Sequence, residues 1–156
     1  MDKIKKLIDS MVENELAVSE LYAYYAKQFP AFKFWERLSK EEKMHALMLR
    51  KLLEKTDFEE LSVDSRVFSK REVAEVKNEL KKMIKHSSKD NMVEALQNAF
   101  RLETTITEQG YFKVFVTKED SEYRKVIEYL QNATKKHRDL IYTDLKKLLP
   151  NNEKIN

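Results

Sequence analysis

The sequence predicts an all-α protein: a bundle of four long helices, set as two antiparallel hairpins and joined by a long crossover that contains a short extra helix. Three observations predict it. Glycine occurs once and proline twice in 156 residues, and sheet proteins need many tight turns built on such residues. Apolar residues recur at steps of three and four over four long stretches, the period of one buried helix face. Two of the breaks between those stretches are short, and short connections between helices make antiparallel neighbours. The length fits one domain, 1–156, large enough to bury a substantial core.

The first helix is expected over about 2–28. Its face runs Ile4, Ile8, Met11, Glu15, Val18, Tyr22, Tyr25 and Phe29. Pro30 stops it, because proline disfavours the helical conformation in the residue before it and has no N–H to donate. The second helix, about 31–55, carries Trp35, Leu38, Glu42, His45, Leu49 and Leu52. Residues 56–70 have no clean period and read as the crossover. The short helix over about 71–85 presents Val73, Val76, Leu80, Met83 and Ile84. Ser87, Ser88 and Asp90 are the expected caps before the third long helix. That helix is expected over about 90–116, with Met92, Leu96, Ala99, Glu103, Ile106 and Gly110 on its face. A polar turn at 117–121 leads to the fourth, about 121–149, with Tyr123, Ile127, Leu130, Thr134, His137, Ile141 and Leu148. Pro150 ends it, and the tail 151–156 is expected to fray.

The informative residues are the polar ones in these apolar faces. Glu15, Glu42, His45, Glu103 and His137 sit where neighbouring turns carry hydrocarbon. A buried carboxylate must be paired, hold a metal or change its protonation. At a rise of about 1.5 Å per residue, Glu15 lies about 22 Å from the Pro30 turn, and Glu42 and His45 lie about 18 and 22 Å down the returning helix. Glu103 and His137 likewise stand about 24 and 27 Å from the second turn. All five are therefore expected near mid-bundle, and the i, i+3 spacing puts Glu42 and His45 on one face. The chain also repeats: the interval from Glu15 to Glu103 is close to that from Glu42-x-x-His45 to Thr134-x-x-His137. Two facing copies of one hairpin would give a pseudo-twofold site. Carboxylates with one imidazole per position suit iron or manganese.

The same sequence excludes other chemistry. Without cysteine there is no disulfide, Cys-ligated zinc, iron–sulfur cluster or thiol nucleophile. Thirty basic and 27 acidic side chains leave a net charge of +3, which does not mark a nucleic-acid binder. No apolar run approaches the ~20 residues of a membrane span, and the start lacks the apolar core of a signal peptide. A cytoplasmic protein is the expectation. His86 reads as a helix end rather than a ligand, and the lysine clusters near 81–85 and 135–136 read as solvated faces. Phe32, Phe34 and Trp35 read as packing near the first turn, with a homodimer surface as a second use.

The stretch ENELAVSELYAYYAKQFPAFKFWERLSKEEKMHA resembles the first hairpin of the rubrerythrin branch of the ferritin-like superfamily. ALQNAFRLETTITEQGYF is similar to the start of its second. The resemblance spans nearly the whole chain and implies a ferritin-like bundle. It implies metal ligands at Glu15, Glu42, His45, Glu103 and His137, with Glu42 and Glu103 as bridges. Tyr22 and Tyr111 match tyrosines that hydrogen-bond the ligand carboxylates. The implied cofactor is iron, as two ions or as one, with manganese as a substitute. The implied activity is oxidoreductase chemistry on O₂ or hydrogen peroxide, fed by an external electron donor. Thr134 stands where the family pattern has a fourth glutamate, which leaves one metal position a ligand short. Ile106 stands where rubrerythrins carry a further carboxylate tied to peroxide chemistry, and the rubredoxin-like iron domain is missing. The alternative is a degenerate bundle, its polar seam closed by hydrogen bonds, acting as a binding or interaction module.

Overall fold

The computed structural model describes residues 2–55, 61–64, 70–108, 112–117 and 121–149. In chain order the elements are α1 (Asp2–Gln28), α2 (Phe34–Lys55), β1 (Leu61–Val63), α3 (Lys70–His86), α4 (Met92–Glu108), β2 (Phe115–Thr117) and α5 (Glu122–Leu148). Helices dominate, and the apolar faces read from the sequence form one core. Ile8, Met11, Val18, Tyr22 and Tyr25 of α1 pack with Trp35, Leu38, Leu49 and Leu52 of α2, all buried.

The α1–α2 pairing has an identifiable lock. Ser19 Oγ donates to the Ser39 carbonyl at 2.7 Å, and Ser39 Oγ donates back to the Ser19 carbonyl at 2.9 Å. Two small side chains let the backbones approach, and the reciprocal bonds satisfy both buried hydroxyls. The turn at Pro30 makes the helices antiparallel, so this register brings Glu15, one turn before Ser19, level with Glu42 and His45. Across the second pair, Phe100 of α4 contacts Tyr142 of α5 with ring centroids 5.4 Å apart. Ser121 caps α5 by accepting the Arg124 N–H at 3.2 Å.

The two pairs are joined by polar bonds as well as by the core. Tyr25 Oη donates to Asp90 Oδ2 at 2.6 Å, Gln28 Nε2 to the Asp90 carbonyl at 2.6 Å, and Asn98 Nδ2 to Asp90 Oδ2 at 3.1 Å. Asp90 is thus held by the first hairpin, and the cap of α4 falls to Asn91. Its Oδ1 accepts the Glu94 N–H at 3.0 Å, while its own N–H donates to Glu94 Oε2 at 2.8 Å. This is a reciprocal capping box, one residue later than the expected caps. Ser87 lies in a 3₁₀ turn and donates to the Ile84 carbonyl instead. Helix α3 packs against α1, where Asn14 Nδ2 donates to the Val73 carbonyl at 3.1 Å.

Two further differences from the sequence reading concern the second hairpin. Helix α4 ends at Glu108, not near 116; residues 112–114 form a turn and 115–117 pair antiparallel with Leu61–Val63 of the crossover. On α5 the last core position is Leu145, fully buried, while Leu148 is 40% exposed. A step of four from Ile141 follows the 3.6-residue period better than a step of seven from Ile141 to Leu148. Gly110, Tyr111, most of the crossover and the tail 151–156 lie outside the described residues. No helix among the described residues is long and apolar enough to cross a membrane.

Candidate metal centre

Four helices turn five ligand-type side chains to the same point. Glu15 of α1, Glu42 and His45 of α2, Glu103 of α4 and His137 of α5 are all buried. Their spacing from the two turns is what brings them level, as the sequence expects. They form two groups of potential ligand atoms, Glu15/Glu42/His45 and Glu42/Glu103/His137, each with its atoms within 4.8 Å of one another.

Glu42 is common to both groups, and its two oxygens face opposite ways. Oε2 lies 2.9 Å from His45 Nδ1 and Oε1 lies 2.6 Å from His137 Nδ1. Glu15 Oε2 stands 3.5 Å from His45 Nδ1, and Glu103 Oε1 stands 3.9 Å from His137 Nδ1. The two imidazoles stack, with centroids 5.4 Å apart and planes 18° from parallel. The two groups thus lie side by side on the one carboxylate of Glu42. Of the two bridges that the family resemblance implies, only Glu42 occupies a shared place; Glu103 belongs to one group alone.

Electrostatics follow from burial and these contacts. Burial pushes the Glu15 carboxyl up to about 8, with the Glu42 charge adding to the rise and the His45 hydrogen bond opposing it. Burial, aided by Glu42, does the same to Glu103, which also rises to about 8. Burial opposes charge on Glu42 too, yet hydrogen bonds from His137 and His45 hold it below the usual carboxylate range. For His45 burial favours the neutral ring, but the bonds to Glu15 and Glu42 outweigh it and lift the imidazole to about 11. His137 rises to about 9 for the same reason, through Glu42 first. Protons shared among five buried groups thus occupy the space where cations could be held.

The surrounding positions divide. Tyr22 Oη donates to Glu103 Oε1 at 2.6 Å, the bond that the family pattern implies. Its own ionisation is suppressed by burial and by the charge of Glu103. Tyr111, its expected counterpart, lies outside the described residues. Thr134 is buried beside His137, but its hydroxyl donates to the Leu130 carbonyl of its own helix at 3.0 Å. Ile106 is an ordinary core residue. His86 bonds the Lys82 carbonyl at the end of α3, away from the cluster. Trp35 is fully buried against Tyr22, Tyr25 and Phe34 rather than at a surface.

Sequence reasoning missed Glu41. Its Oε2 lies 2.6 Å from His137 Nε2, on the ring edge opposite Glu42. Glu41 falls off the apolar face of α2, so periodicity gave no reason to select it. The available signal was its place beside Glu42.

No family model, curated protein or solved structure matches the chain. The class that fold and cluster define is accordingly an all-α bundle with two buried Glu/His groups able to hold metal ions.

Proposed function

We propose that the chain is a ferritin-like protein of the rubrerythrin type that binds two metal ions, iron before manganese, and acts as an oxidoreductase on O₂ or hydrogen peroxide with an external electron donor. The observation that carries this reading is the single carboxylate of Glu42 presented to two stacked imidazoles, one oxygen to each. With one oxygen toward each imidazole, Glu42 would serve both metal positions at once. Carboxylate oxygens with one nitrogen per position match hard to intermediate cations such as iron and manganese. Bound iron would supply redox equivalents for the reduction of an oxidant.

The protein's own residues supply the rest. Glu42 would bridge, Glu15 and His45 would complete one position, and Glu103 and His137 the other. Tyr22 fixes the orientation of Glu103 through its hydroxyl. The apolar faces above and below exclude water, and Thr134, whose hydroxyl bonds its own helix, would give the second position no carboxylate.

The test is anaerobic titration of metal-free protein with Fe²⁺. Two equivalents per chain are expected, both lost in Glu42→Ala, followed by reductant-dependent consumption of peroxide or O₂. Protein that takes up no Fe²⁺ or Mn²⁺ refutes the reading. A second reading, a bundle serving as an interaction module, is favoured by Thr134 and by the mutual hydrogen bonding that already satisfies the cluster. It expects no metal uptake and no gain in thermal stability with added metal.

A further inference from the structure

His137 has a carboxylate on each nitrogen. Nδ1 faces Glu42 inside the bundle at 2.6 Å, and Nε2 faces Glu41 at the α2–α5 seam, also at 2.6 Å. The Glu41 side chain is 44% exposed. It therefore reaches inward from solvent to the back of a buried ring. The His45 ring is flanked differently, by Tyr129 packed edge-on with centroids 6.3 Å apart.

An imidazole that binds metal through one nitrogen commonly donates the N–H of the other to a carboxylate. That bond fixes the tautomer and ring orientation and raises the basicity of the ligating nitrogen. Helix α5 offers His137 no such help one turn earlier, because Thr134 bonds its own backbone. We infer that Glu41 is the positioning residue for the second metal position: it accepts the Nε2–H of His137 from the neighbouring helix and keeps the Nδ1 lone pair turned toward Glu42 and Glu103. The inference rests on the metal-binding reading above. It adds a residue outside the five-ligand set and makes the two positions unequal in their support.

The experiment uses Zn²⁺ as a diamagnetic probe on the full chain, in wild type, Glu41→Gln and Glu41→Leu. Chelator competition gives the two affinities. Long-range ¹H–¹⁵N spectra of protein labelled at its three histidines give the tautomer of each ring. In wild type the His137 ring is expected metal-bound at Nδ1, with a slowly exchanging Nε2–H. Glu41→Leu should weaken one of the two positions about 10- to 100-fold, speed exchange of that proton and leave the His45 signals in place. Glu41→Gln keeps an acceptor oxygen and should retain most of the affinity and the same tautomer. Because the side chain is half-exposed, both variants should fold, which a thermal melt checks. Two zinc ions bound equally well by wild type and Glu41→Leu would overturn the inference and leave the metal reading intact. Equal losses in both variants would assign the effect to charge and also overturn it. A wild-type protein that takes no zinc would remove both together.

Discussion

Metal loading should expel protons, and their number can be worked from the cluster. Near pH 7 Glu15 and Glu103, at about 8, are mostly protonated, and His45 and His137, at about 11 and 9, are cationic. Glu42, held low by both imidazoles, is ionised. The metal-free cluster thus carries one negative and two positive charges. Binding two divalent cations requires three carboxylates and two neutral rings, so about four protons leave as four positive charges arrive. The net charge of the buried cluster is unchanged, which avoids the large cost of adding charge to an apolar interior. The combined affinity for both ions should rise about 10⁴-fold per pH unit between pH 6 and 7.5, about 100-fold for each ion. Titration calorimetry with Mn²⁺ in buffers of different ionisation enthalpy counts the protons directly. Release of one proton or none, or an affinity flat across that window, would show that the cations bind elsewhere or that the cluster is already ionised.

The same groups set the stability of the metal-free fold. All four hold protons more tightly folded than unfolded, so their contribution is complete below the unfolded values. It is lost as pH rises through about 8 for Glu15 and Glu103, 9 for His137 and 11 for His45. Each retained proton contributes a slope of about 1.4 kcal/mol per pH unit. Urea unfolding in EDTA should therefore show falling stability from pH 6 to 9, with a separate loss in acid as Glu42 protonates; a flat profile would contradict the burial of the cluster. Thr134→Glu should tighten the second position at least tenfold by adding a carboxylate next to His137, at the expense of metal-free stability, and unchanged titration curves would remove residue 134 from the site. Trp35 is the only tryptophan and its ring centroid lies 5.4 Å from that of Tyr22, whose hydroxyl bonds Glu103. Loading with Co²⁺ should quench its emission where Zn²⁺ does not, and equal emission with both ions would separate the tryptophan from the metal.

Most of this site was legible because a bundle helix leaves a strong periodic trace. Glu15 stands between Met11 and Val18, and Glu42 follows Leu38, so each polar residue declares its burial through its neighbours. The turn at Pro30 then fixes the level at which they meet. The chemistry that crosses between elements leaves no such trace. The β1–β2 ribbon joins two three-residue segments far apart in sequence, too short for alternation to be visible. Asn91 and Glu94 carry the spacing of a capping box, but Asp90 is an equally good cap by composition until Tyr25 is seen to hold it. Glu41 sits on a solvent-facing position, and only the approach of α5 gives it a role.

The shared carboxylate also ties the two hairpins together at the cluster. Each hairpin brings an imidazole, but only the first brings Glu42. The distance from Glu42 Oε1 to His137 is therefore set between hairpins, while that from Oε2 to His45 is set within one helix turn. The first group inherits its geometry from α2 and from the Ser19–Ser39 lock. The second depends on contacts that bridge the pairs: Tyr22 to Glu103, Tyr25 to Asp90, and Glu41 to His137. Any motion of α5 against α2 acts on the second group first. The second group, beside Thr134, is thus the one whose geometry depends on how α5 packs against α2.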